Sequence, residues 1–271
     1  MFYNKILAQI LGTKVPYFKG KDKIIRYLYP PDKYKNIYKG ENFIINYFGK
    51  KYQGITSNYI DWGVYIYGGL EKALIGYIET EIKNFNYFLD IGSNSGSISL
   101  PFINRNNLKI ICFEPHEYSF RKLLKNFRLN NAVKNHIFHK IALSNESGKN
   151  YIYFKNDDDE NRGGATLDKL RNIKDVNKEE IITEKLDNLY KFKNEFIFIK
   201  IDVEGFEKKV IDGSINILKN NKILMYLETQ NLELLSQMER LNYKIINFNF
   251  SKNKLKFQKN FTPPHVLLKN F

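Results

Sequence analysis

Short apolar segments alternate with helical patterns through the C-terminal two-thirds of the chain, and this alternation restricts the possible folds more than any other feature. The six apolar segments are "YFLDIG", "LKIICFE", "NHIFHKIAL", "EFIFIKID", "KILMYLE" and "YKIINFNF". They are continuously apolar, which is typical of strands that are buried on both faces. The sequence therefore predicts a doubly wound α/β fold, in which helices cover both faces of a mainly parallel sheet.

The first 66 residues have a different pattern. The segment "MFYNKILAQILG" predicts an amphipathic helix with Phe2, Ile6 and Ile10 on one face. We expect this face to pack on the body of the protein, and contact with a membrane surface is the alternative. The aromatic segments "YKGENFIINYF" and "SNYIDWGVYIY" predict short strands and turns. Residues 1–66 are thus expected to form an N-terminal helix and a small β-rich entry region, and residues 67–271 the main domain.

The single cysteine and the charge indicate a setting and a class of partner. Because Cys112 is the only cysteine, no intramolecular disulfide can form, and a reducing compartment such as the cytoplasm is expected. No apolar run approaches the length of about 20 residues that crosses a bilayer. The net charge of +14 comes from 36 lysines and 7 arginines. Since arginine is the residue that reads guanine and clamps phosphate, this balance disfavours a nucleic-acid partner, while the charge favours an anionic acceptor over a cationic one.

The stretch "NYFLDIGSNSGSISL", residues 86–100, ends an apolar strand with an acid and two glycines. Ligands of open parallel sheets bind beyond the carboxyl ends of the strands. Gly92 lets the chain turn sharply there, and Gly96 allows a ligand or a strand to approach closely. The spacing of Asp90, Gly92 and Gly96 departs from the dinucleotide pattern G-x-G-x-x-G. An acid at the strand tip suits the amino-acid end and the sulfonium cation of S-adenosylmethionine better than a pyrophosphate.

A helix is predicted to follow this turn, near residues 95–105. The polar residues Ser93, Asn94 and Ser95 can cap its start. Exposed N–H groups at the start of a helix suit a carboxylate or a phosphate. The turn between strand and helix is therefore the predicted ligand-binding loop.

Two further apolar strands also end in acids. Glu114, in "CFEPH", lies 24 positions after Asp90, where an acid can accept hydrogen bonds from both hydroxyls of a ribose. Asp202 ends the strand in "FIKIDVEG". Three acids in this order at one sheet edge predict a site for S-adenosylmethionine.

These segments resemble the FkbM-type family of S-adenosylmethionine-dependent methyltransferases. The resemblance is carried by "FLDIGSNSGSISL", "ICFEPHEYSFRKLLKNFRLNN", "IAL", "TEKLDNL" and "FIKIDVEGFEKKVIDG", and it covers roughly residues 85–230. It implies a Rossmann-like class I methyltransferase fold over residues 67–271, with seven strands and a reversed terminal hairpin. It also implies O-methylation of a sugar or polyketide hydroxyl.

By position, the resemblance implies a cofactor loop and a catalytic pair of acids. The expected cofactor residues are Asp90, Gly92, Ser93, Asn94, Gly96, Glu114, Pro115, His116 and Ala142. The expected catalytic residues are Asp202 and Glu204, near the transferable methyl group. Ser93 and Ser95 depart from the family pattern, which often has alanine and an apolar or varied residue there.

An alcohol acceptor must lose a proton as the methyl group is transferred, and a carboxylate within hydrogen-bond reach can take it. Asp202 is the first candidate for this base. Glu204 or Glu207 could orient the acceptor or join Asp202 in a metal site, although no metal ligand is assigned. The alternative for Asp202 and Glu204 is stabilisation of the following helix N-terminus. Glu228 either faces the acceptor or caps the next helix, and Lys200 could pair with an acid at the sheet edge.

Three functions are compatible with these features. The leading one is O-methylation of a sugar hydroxyl in a cell-surface glycan, a lipid-linked precursor or a related metabolite. The charge motivates a nucleic-acid methyltransferase, but no asparagine or aspartate is followed by Pro-Pro and an aromatic residue. A non-catalytic nucleotide-binding module is disfavoured by the acids at three strand ends. The irregular connection over residues 144–186, with its acidic run "NDDDENRGG", is interpreted as a solvated loop that could form a substrate rim.

Overall fold

The computed structural model of the protein describes residues 2–31, 40–69, 71–155, 176–246, 248–251, 254–257 and 265–271. The α-helices are α1 (Phe2–Lys14), α2 (Lys21–Leu28), α3 (Tyr59–Tyr67), α4 (Lys72–Glu81), α5 (Glu117–Arg128), α6 (Leu186–Leu189), α7 (Glu207–Asp212), α8 (Ile215–Asn220) and α9 (Leu232–Arg240). The strands are β1 (Asn42–Tyr47), β2 (Lys50–Ile55), β3 (Tyr87–Ile91), β4 (Lys109–Phe113), β5 (Ile137–His139), β6 (Ala142–Leu143), β7 (Gly148–Lys155), β8 (Val176–Glu184), β9 (Phe196–Ile201), β10 (Lys222–Glu228), β11 (Lys244–Ile246), β12 (Phe248–Ser251), β13 (Lys254–Phe257) and β14 (His265–Lys269). No described helix combines the length and the apolar character that a membrane span requires.

The main sheet contains seven of the described strands, in the order β5-β4-β3-β9-β10-β14-β11. The strands from β5 to β10 are parallel to their neighbours, and β14 is antiparallel to both β10 and β11. From β3 the chain builds one half of the sheet and then returns through β9 to build the other half. The predicted α/β fold with a reversed strand near its end is confirmed.

Successive side chains of the central strands enter two apolar layers, one on each face of the sheet. Phe88 of β3 and Phe198 of β9 belong to one buried cluster. Their neighbours in sequence, Leu89 and Ile199, belong to the other, together with Val210 of α7. Both faces of these strands are covered, as continuously apolar strands predict.

The segment after β3 differs from the helix predicted near residues 95–105. Residues 94–99 form turns, and a short 3-10 helix follows over Leu100–Phe102. Asn94 and Gly96 have φ angles of 47° and 78°, which a right-handed helix does not allow. Pro101 in the 3-10 helix has no N–H to donate. The helix prediction is therefore wrong here.

Two other predicted elements are divided differently. The helix expected over "GFEKKVIDGSINILKNN" consists of α7 and α8, separated at Gly213. A Cβ atom at Gly213 would lie 2.0 Å from the carbonyl oxygen of Ser144, so the loop after β6 packs directly against this junction. The connection over residues 144–186 contains the antiparallel pair β7 and β8, in a three-stranded sheet ordered β6-β8-β7. The run "NDDDENRGG" lies outside the described residues.

The N-terminal region is mostly helical around one hairpin. β1 and β2 pair antiparallel, as predicted for the first aromatic segment. The second segment, "SNYIDWGVYIY", is predicted to form short strands and turns, but residues Tyr59–Tyr67 of it form helix α3. The side chain of Asn58 caps this helix by accepting from the N–H of Asp61 at 3.1 Å, and Gly68 ends it with a φ of 70°. These capping residues outweigh the β preference of the aromatic residues.

Helix α1 forms as predicted, but it packs with the opposite face. Ala8 is fully buried, whereas Ile6 and Ile10 are exposed. A Cβ atom at Gly12 would lie 2.0 Å from the carbonyl oxygen of Ile66, so the small residues of α1 lie against α3. The side chain of Phe2 lies outside the described residues. The expectation that the face with Ile6 and Ile10 packs inward is wrong.

A buried carboxylate joins the N-terminal region to the main domain. Asp61 of α3 is fully buried and accepts hydrogen bonds from Tyr52 Oη at 2.5 Å and from the N–H of Ile55 at 2.8 Å. It also forms an ion pair with Lys122 of α5. Tyr52 in turn hydrogen-bonds Ser95 in the loop after β3 at 2.9 Å. One carboxylate therefore ties together β2, α5 and the glycine loop.

We predict that Asp61→Ala destabilises the whole protein by about 3 kcal/mol, because it removes a partner from the buried Lys122 ammonium. Denaturation followed by far-UV circular dichroism and by tryptophan fluorescence should show one shared, lowered transition, since Trp62 lies beside the change. Asp22→Ala is the control, because Asp22 is exposed and accepts only from Tyr67 at 3.0 Å among the bonds described. Two separate transitions, with only the fluorescence one displaced, would indicate that residues 1–66 fold independently.

Candidate functional site

The carboxyl ends of β4, β3 and β9 lie side by side and form one edge of the sheet. Ile91 of β3 is in register with Phe113 of β4 and with Ile201 of β9. Glu114 and Asp202 each follow directly. The structure therefore brings the predicted strand-end acids to the same edge. Between β3 and β9 the order in which strands are added to the sheet reverses, and ligands of such sheets bind at this point.

The two glycines of the loop after β3 have steric reasons in the protein itself. Gly92 has a φ of 76°, and a Cβ atom there would lie 1.9 Å from the carbonyl oxygen of Asp202. At Gly96, a Cβ atom would lie 2.7 Å from Leu123 Cδ1 and 3.1 Å from a ring carbon of Phe127. Gly92 thus lets the loops after β3 and β9 touch. At Gly96, where a ligand or a strand is predicted to approach closely, the element that does so is helix α5.

Two serines fix the same loop to its neighbours and do not cap a helix. Ser93 Oγ donates to the carbonyl oxygen of Asp90 at 2.6 Å and accepts from the N–H of Phe113 at 3.1 Å. Ser95 is buried and bonds to Tyr52 Oη. The loop is therefore held from β4 on one side and from β2 on the other.

Glu114 closes the loop against the end of β4. Its Oε2 accepts from the N–H of Asn94 at 2.8 Å, and its Oε1 accepts from the N–H of His116 at 3.0 Å. Burial raises the pKa of Glu114 to about 7, although these two hydrogen bonds oppose the shift. An ionised carboxylate has about four acceptor positions, so Glu114 retains capacity for the hydroxyls of a ligand.

Lys200 is a buried cation at the centre of this edge. Its Nζ donates to the carbonyl oxygen of Gly92 at 2.6 Å and lies 3.3 Å from Asp202 Oδ2 and 3.7 Å from Asp90 Oδ1. Burial by itself lowers the pKa of Lys200, but the carboxylates of Asp202, Asp90 and Glu71 outweigh it, and the net direction is upward. The predicted pairing of Lys200 with an acid of the edge is confirmed.

Asp90 and Asp202 have different environments around this lysine. Asp90 is completely buried beneath the loop, and burial raises its pKa against the opposing charge of Lys200. The side chain of Asp202 is about one-third exposed, at 31%. Asp90 therefore acts on the loop through Lys200, and its direct contact with a cofactor stays a prediction, whereas Asp202 can reach a ligand.

Glu71, Tyr226 and His265 are not among the residues predicted for the site, and Glu228 is predicted either to face the acceptor or to cap the next helix. Tyr226 Oη donates to Glu71 Oε1 at 3.5 Å and shares a 2.7 Å hydrogen bond with His265 Nδ1. His265 Nδ1 lies 3.9 Å from Glu228 Oε2, and the two residues are opposite each other on β14 and β10. These four side chains form a polar cluster beside the strand-end acids.

The same cluster lies close enough to Asp202 for the charge of this carboxylate to shift the pKa values of the cluster. Burial raises the pKa of Glu71 to about 7 and that of Glu228 to about 8, and repulsion from Asp202 is the second cause in both. Burial lowers the pKa of His265, while Asp202 raises it. Glu71 precedes α4 and has the pattern of an ordinary first-turn acid, so only the fold reveals that it faces this edge.

The turn from β9 into α7 has an unusual backbone at Glu204. Its φ is 53°, a conformation that costs about 1–3 kcal/mol in a non-glycine residue and is frequent at functional sites. Glu207 is buried and accepts from the N–H of Gly205 at 2.9 Å, so it holds the turn, and a part in orienting an acceptor stays a prediction. Among the residues that the structure describes, no group of three or more His, Cys, Asp or Glu is arranged to hold a metal ion.

The remaining predicted cofactor residues are enclosed to different degrees. The ring of His116 is buried, with Nδ1 at 3.2 Å from Ser119 Oγ and Nε2 at 3.4 Å from Glu179 Oε2. Ala142 is buried in β6, and Pro115 is half-buried. The side chains of His116 and Ala142 therefore pack within the protein, and a part in cofactor binding stays a prediction for all three.

The reversed β14, the order of the parallel strands and the acids at their ends define a class I methyltransferase fold. Residues 90–245, more than half of the 271-residue chain, match the sequence model described as the Methyltransferase FkbM domain. The chain therefore belongs to the FkbM methyltransferase family, and it is a methyltransferase.

Solved structures with similar folds have little sequence identity to this chain. A proposed transferase from Pyrococcus horikoshii is 12% identical, with 84% of this chain and 70% of that chain covered and a TM-score of 0.41. A ribosomal protein L11 methylase from Lactobacillus delbrueckii subsp. bulgaricus is 12% identical, with coverages of 72% and 75% and a TM-score of 0.42. A protein of the NADB-Rossmann superfamily from Streptococcus agalactiae is 10% identical, with coverages of 73% and 67% and a TM-score of 0.43. No curated protein sequence matches the chain significantly.

The raised pKa of Glu71 predicts a pH-dependent stability. A carboxyl that titrates at about 7 when folded and 4.5 when unfolded binds more protons in the folded state between these values. Its contribution to the free energy of unfolding is therefore present at low pH and lost as pH rises, by at most about 1.4 kcal/mol per pH unit. Urea denaturation at pH 5 and pH 8 should show that Glu71→Gln becomes more favourable, relative to the parent protein, at the higher pH.

Glu117→Gln is the matched control for this titration. Glu117 is half-buried, and hydrogen bonds from Lys140 and Arg121 lower its pKa, so its replacement should have the same effect at both pH values. If the effect of Glu71→Gln on the free energy of unfolding were also the same at pH 5 and pH 8, the burial of Glu71 at this edge would be contradicted.

Proposed function

We propose that the protein is an S-adenosylmethionine-dependent O-methyltransferase whose acceptor is a hydroxyl of a sugar, in a cell-surface glycan, a lipid-linked precursor or a related hydroxylated metabolite. The observation that carries the proposal is the acidic sheet edge, where Glu114 follows β4, Asp202 follows β9 and Glu228 ends β10, with Glu71 beside them at the start of α4. A chain of net charge +14 has here, among its described residues, several carboxylates around the ammonium group of Lys200. Such an edge attracts a positively charged ligand.

The carboxylates at this edge suit two different parts of S-adenosylmethionine, the ribose and the methionine end. Glu114 would hold the ribose hydroxyls, because each of its oxygens keeps an acceptor position beyond its backbone bond. Asp202, with Glu71 behind it, would face the positively charged methionine end. Asp90 and Lys200 would keep the glycine loop in place. When bound, the cofactor supplies a methyl group that is already activated for transfer.

Three side chains can accept the proton of an acceptor hydroxyl at this edge. Asp202 stays the first candidate because it is exposed at the strand end, although Lys200 at 3.3 Å competes for its carboxylate. Glu228, with a pKa of about 8, is better matched to proton transfer near neutral pH. His265, whose Nδ1 bonds to Tyr226 Oη and lies 3.9 Å from Glu228 Oε2, is the third candidate. Glu204, in its strained turn beside Asp202, is suited to orient the acceptor.

The local charge also bears on the acceptor. The net charge of the chain favours an anionic acceptor, but an anion would meet the carboxylates of Asp202, Glu71 and Glu228 at this edge. Repulsion of this kind disfavours both a phosphorylated acceptor and a nucleic-acid backbone close to the reacting group. A neutral, polyhydroxylated sugar fits the edge better.

Cofactor binding is tested by calorimetry with S-adenosylmethionine. We expect the parent protein to bind at micromolar concentrations and Glu114→Ala to lose the heat of binding, because the variant loses both the ribose acceptor and the clamp on Asn94. Glu117→Ala, three residues away, should bind as the parent does, because the carboxylate of Glu117 pairs with Arg121 and Lys140. Thermal melts establish that both variants are folded, and an unchanged affinity of folded Glu114→Ala would contradict the site.

Transfer is tested with methyl-labelled S-adenosylmethionine in a cell lysate, with the label traced by mass spectrometry in glycans, lipids and RNA. Label in a sugar hydroxyl supports the proposal, and label in RNA would replace it with the nucleic-acid alternative. Asp202→Asn should still bind the cofactor, with a lower affinity, because Glu114 and the glycine loop are unchanged, and it should lose about 100-fold or more in turnover at saturating cofactor. Full turnover in Asp202→Asn would move the role of base to Glu228 or His265, and binding without any transfer would indicate a non-catalytic module.

A further inference from the structure

Helices α1 and α2 carry large apolar side chains on their solvent side. The α1–α2 face, as we call it, consists of residues that are between 37% and 87% exposed: Tyr3, Ile6, Leu7, Ile10, Tyr17, Phe18, Ile24 and Tyr27. Isolated exposed apolar residues are normal on proteins, but eight of them within two helices that pack on each other and the turn between them indicate an interaction surface.

The spacing shows that this exposure is a property of whole helix faces. In α1, Tyr3, Leu7 and Ile10 recur at intervals of three and four, which places them in one stripe. The opposite side of α1 carries Ala8 and Gly12, the small residues that pack against α3. A helix that only had to cover the protein would turn its large apolar residues inward. Helix α1 turns Leu11 inward, but its other large apolar residues in the described range, Tyr3, Ile6, Leu7 and Ile10, are exposed.

Helix α2 and the connection before it continue the pattern. Ile25 of α2 is fully buried, while Ile24 and Tyr27, three residues apart, point to solvent. Tyr17 and Phe18 in the connection are exposed as well. The apolar surface therefore extends over two helices that pack on each other and over the turn that joins them.

Lysines accompany these apolar residues. Lys14, Lys19 and Lys23 are exposed in the same segment. The one acid of α2, Asp22, accepts a hydrogen bond from Tyr67 at 3.0 Å. Apolar and tyrosine side chains together with lysines are the composition of segments that lie in the interface of anionic membranes.

We propose that the α1–α2 face binds the surface of an anionic phospholipid bilayer, with its apolar side chains at the level of the headgroups and its lysines against lipid phosphates. A second copy of this chain fits less well, because self-association would bring these lysines together between two bodies of net charge +14. The proposal does not depend on the proposed methyl transfer, and it describes contact with a membrane surface and no crossing of it.

The test is sedimentation of the full chain with lipid vesicles. With vesicles of phosphatidylcholine and phosphatidylglycerol, the protein should pellet, and with phosphatidylcholine alone it should stay in solution. High salt should weaken the binding. The double variant Leu7→Glu and Ile10→Glu should abolish it. The control is Ile44→Glu with Leu232→Glu, which places the same charges at two exposed apolar residues elsewhere.

A second pair of variants isolates the charge. Replacement of Lys14, Lys19 and Lys23 by glutamine should weaken binding to the anionic vesicles by about 100-fold. The same replacement at the exposed Lys134, Lys219 and Lys244 should weaken it much less. Equal losses in the two triple variants, or equal binding to both kinds of vesicle, would overturn the proposal.

Two further measurements separate this proposal from its alternatives. Thermal melts and the heat of S-adenosylmethionine binding should be the same in the parent and in the α1 double variant. If neither protein binds the cofactor, the proposed methyl transfer is contradicted, and the proposal of membrane binding is not affected. Sedimentation velocity shows whether a second copy of the chain binds the α1–α2 face instead of a membrane. A dimer that dissociates in the Leu7→Glu and Ile10→Glu variant, without binding of the parent to vesicles, would overturn the membrane proposal.

Discussion

One buried ammonium group, that of Lys200, determines the geometry of the candidate site. It interrupts an otherwise apolar strand, β9, and contacts the carbonyl oxygen of Gly92 and the carboxylates of Asp90 and Asp202. An unpaired charge in this position would be strongly destabilising, so each of these partners is needed to keep the lysine buried. Because the partners come from β3 and from the loops after β3 and β9, the lysine fixes the relative position of these strand ends.

More carboxylates than this one lysine can neutralise lie around it, and their mutual repulsion lowers the stability of the folded protein. Burial and mutual repulsion raise the pKa values of Glu71 and Glu228 into the neutral range. Natural proteins keep such unfavourable groups mainly where a ligand needs them. A ligand with a sulfonium and an ammonium group would relieve the repulsion, so the same feature that destabilises the ligand-free protein near neutral pH would contribute to binding.

The sequence predicts those parts of the fold and site that depend on local pattern. Continuously apolar strands, and acids directly after them, are enough to place Glu114 and Asp202 at one sheet edge, because parallel strands end together. The burial of Asp90 and the convergence of Glu71, Tyr226 and His265 depend on which strands and helices become neighbours, and one sequence does not specify that. Local pattern also fails where a few residues override it, as the caps at Asn58 and Gly68 do when they make a helix of an aromatic segment.

The N-terminal region is more closely joined to the site than its position in the chain suggests. Besides the bonds of Asp61, the backbone of β2 is bonded to α5 through asparagine side chains: the N–H of Gln53 donates to Asn126 Oδ1 at 2.8 Å, and the N–H of Lys51 donates to Asn130 Oδ1 at 2.9 Å. Movement of the first 66 residues away from the main domain would therefore expose Asp61 and Lys122 and break the contact between Tyr52 and Ser95.

These contacts have a consequence for any partner of the α1–α2 face. Helices α1 and α2 pack on α3, α3 supplies Asp61, and Asp61 reaches the glycine loop through Tyr52. The outer face and the loop are thus joined by a short series of buried contacts within one folded unit. A membrane that holds α1 and α2 would hold the cofactor loop at a fixed distance and orientation as well, which is what an enzyme with a lipid-linked acceptor requires.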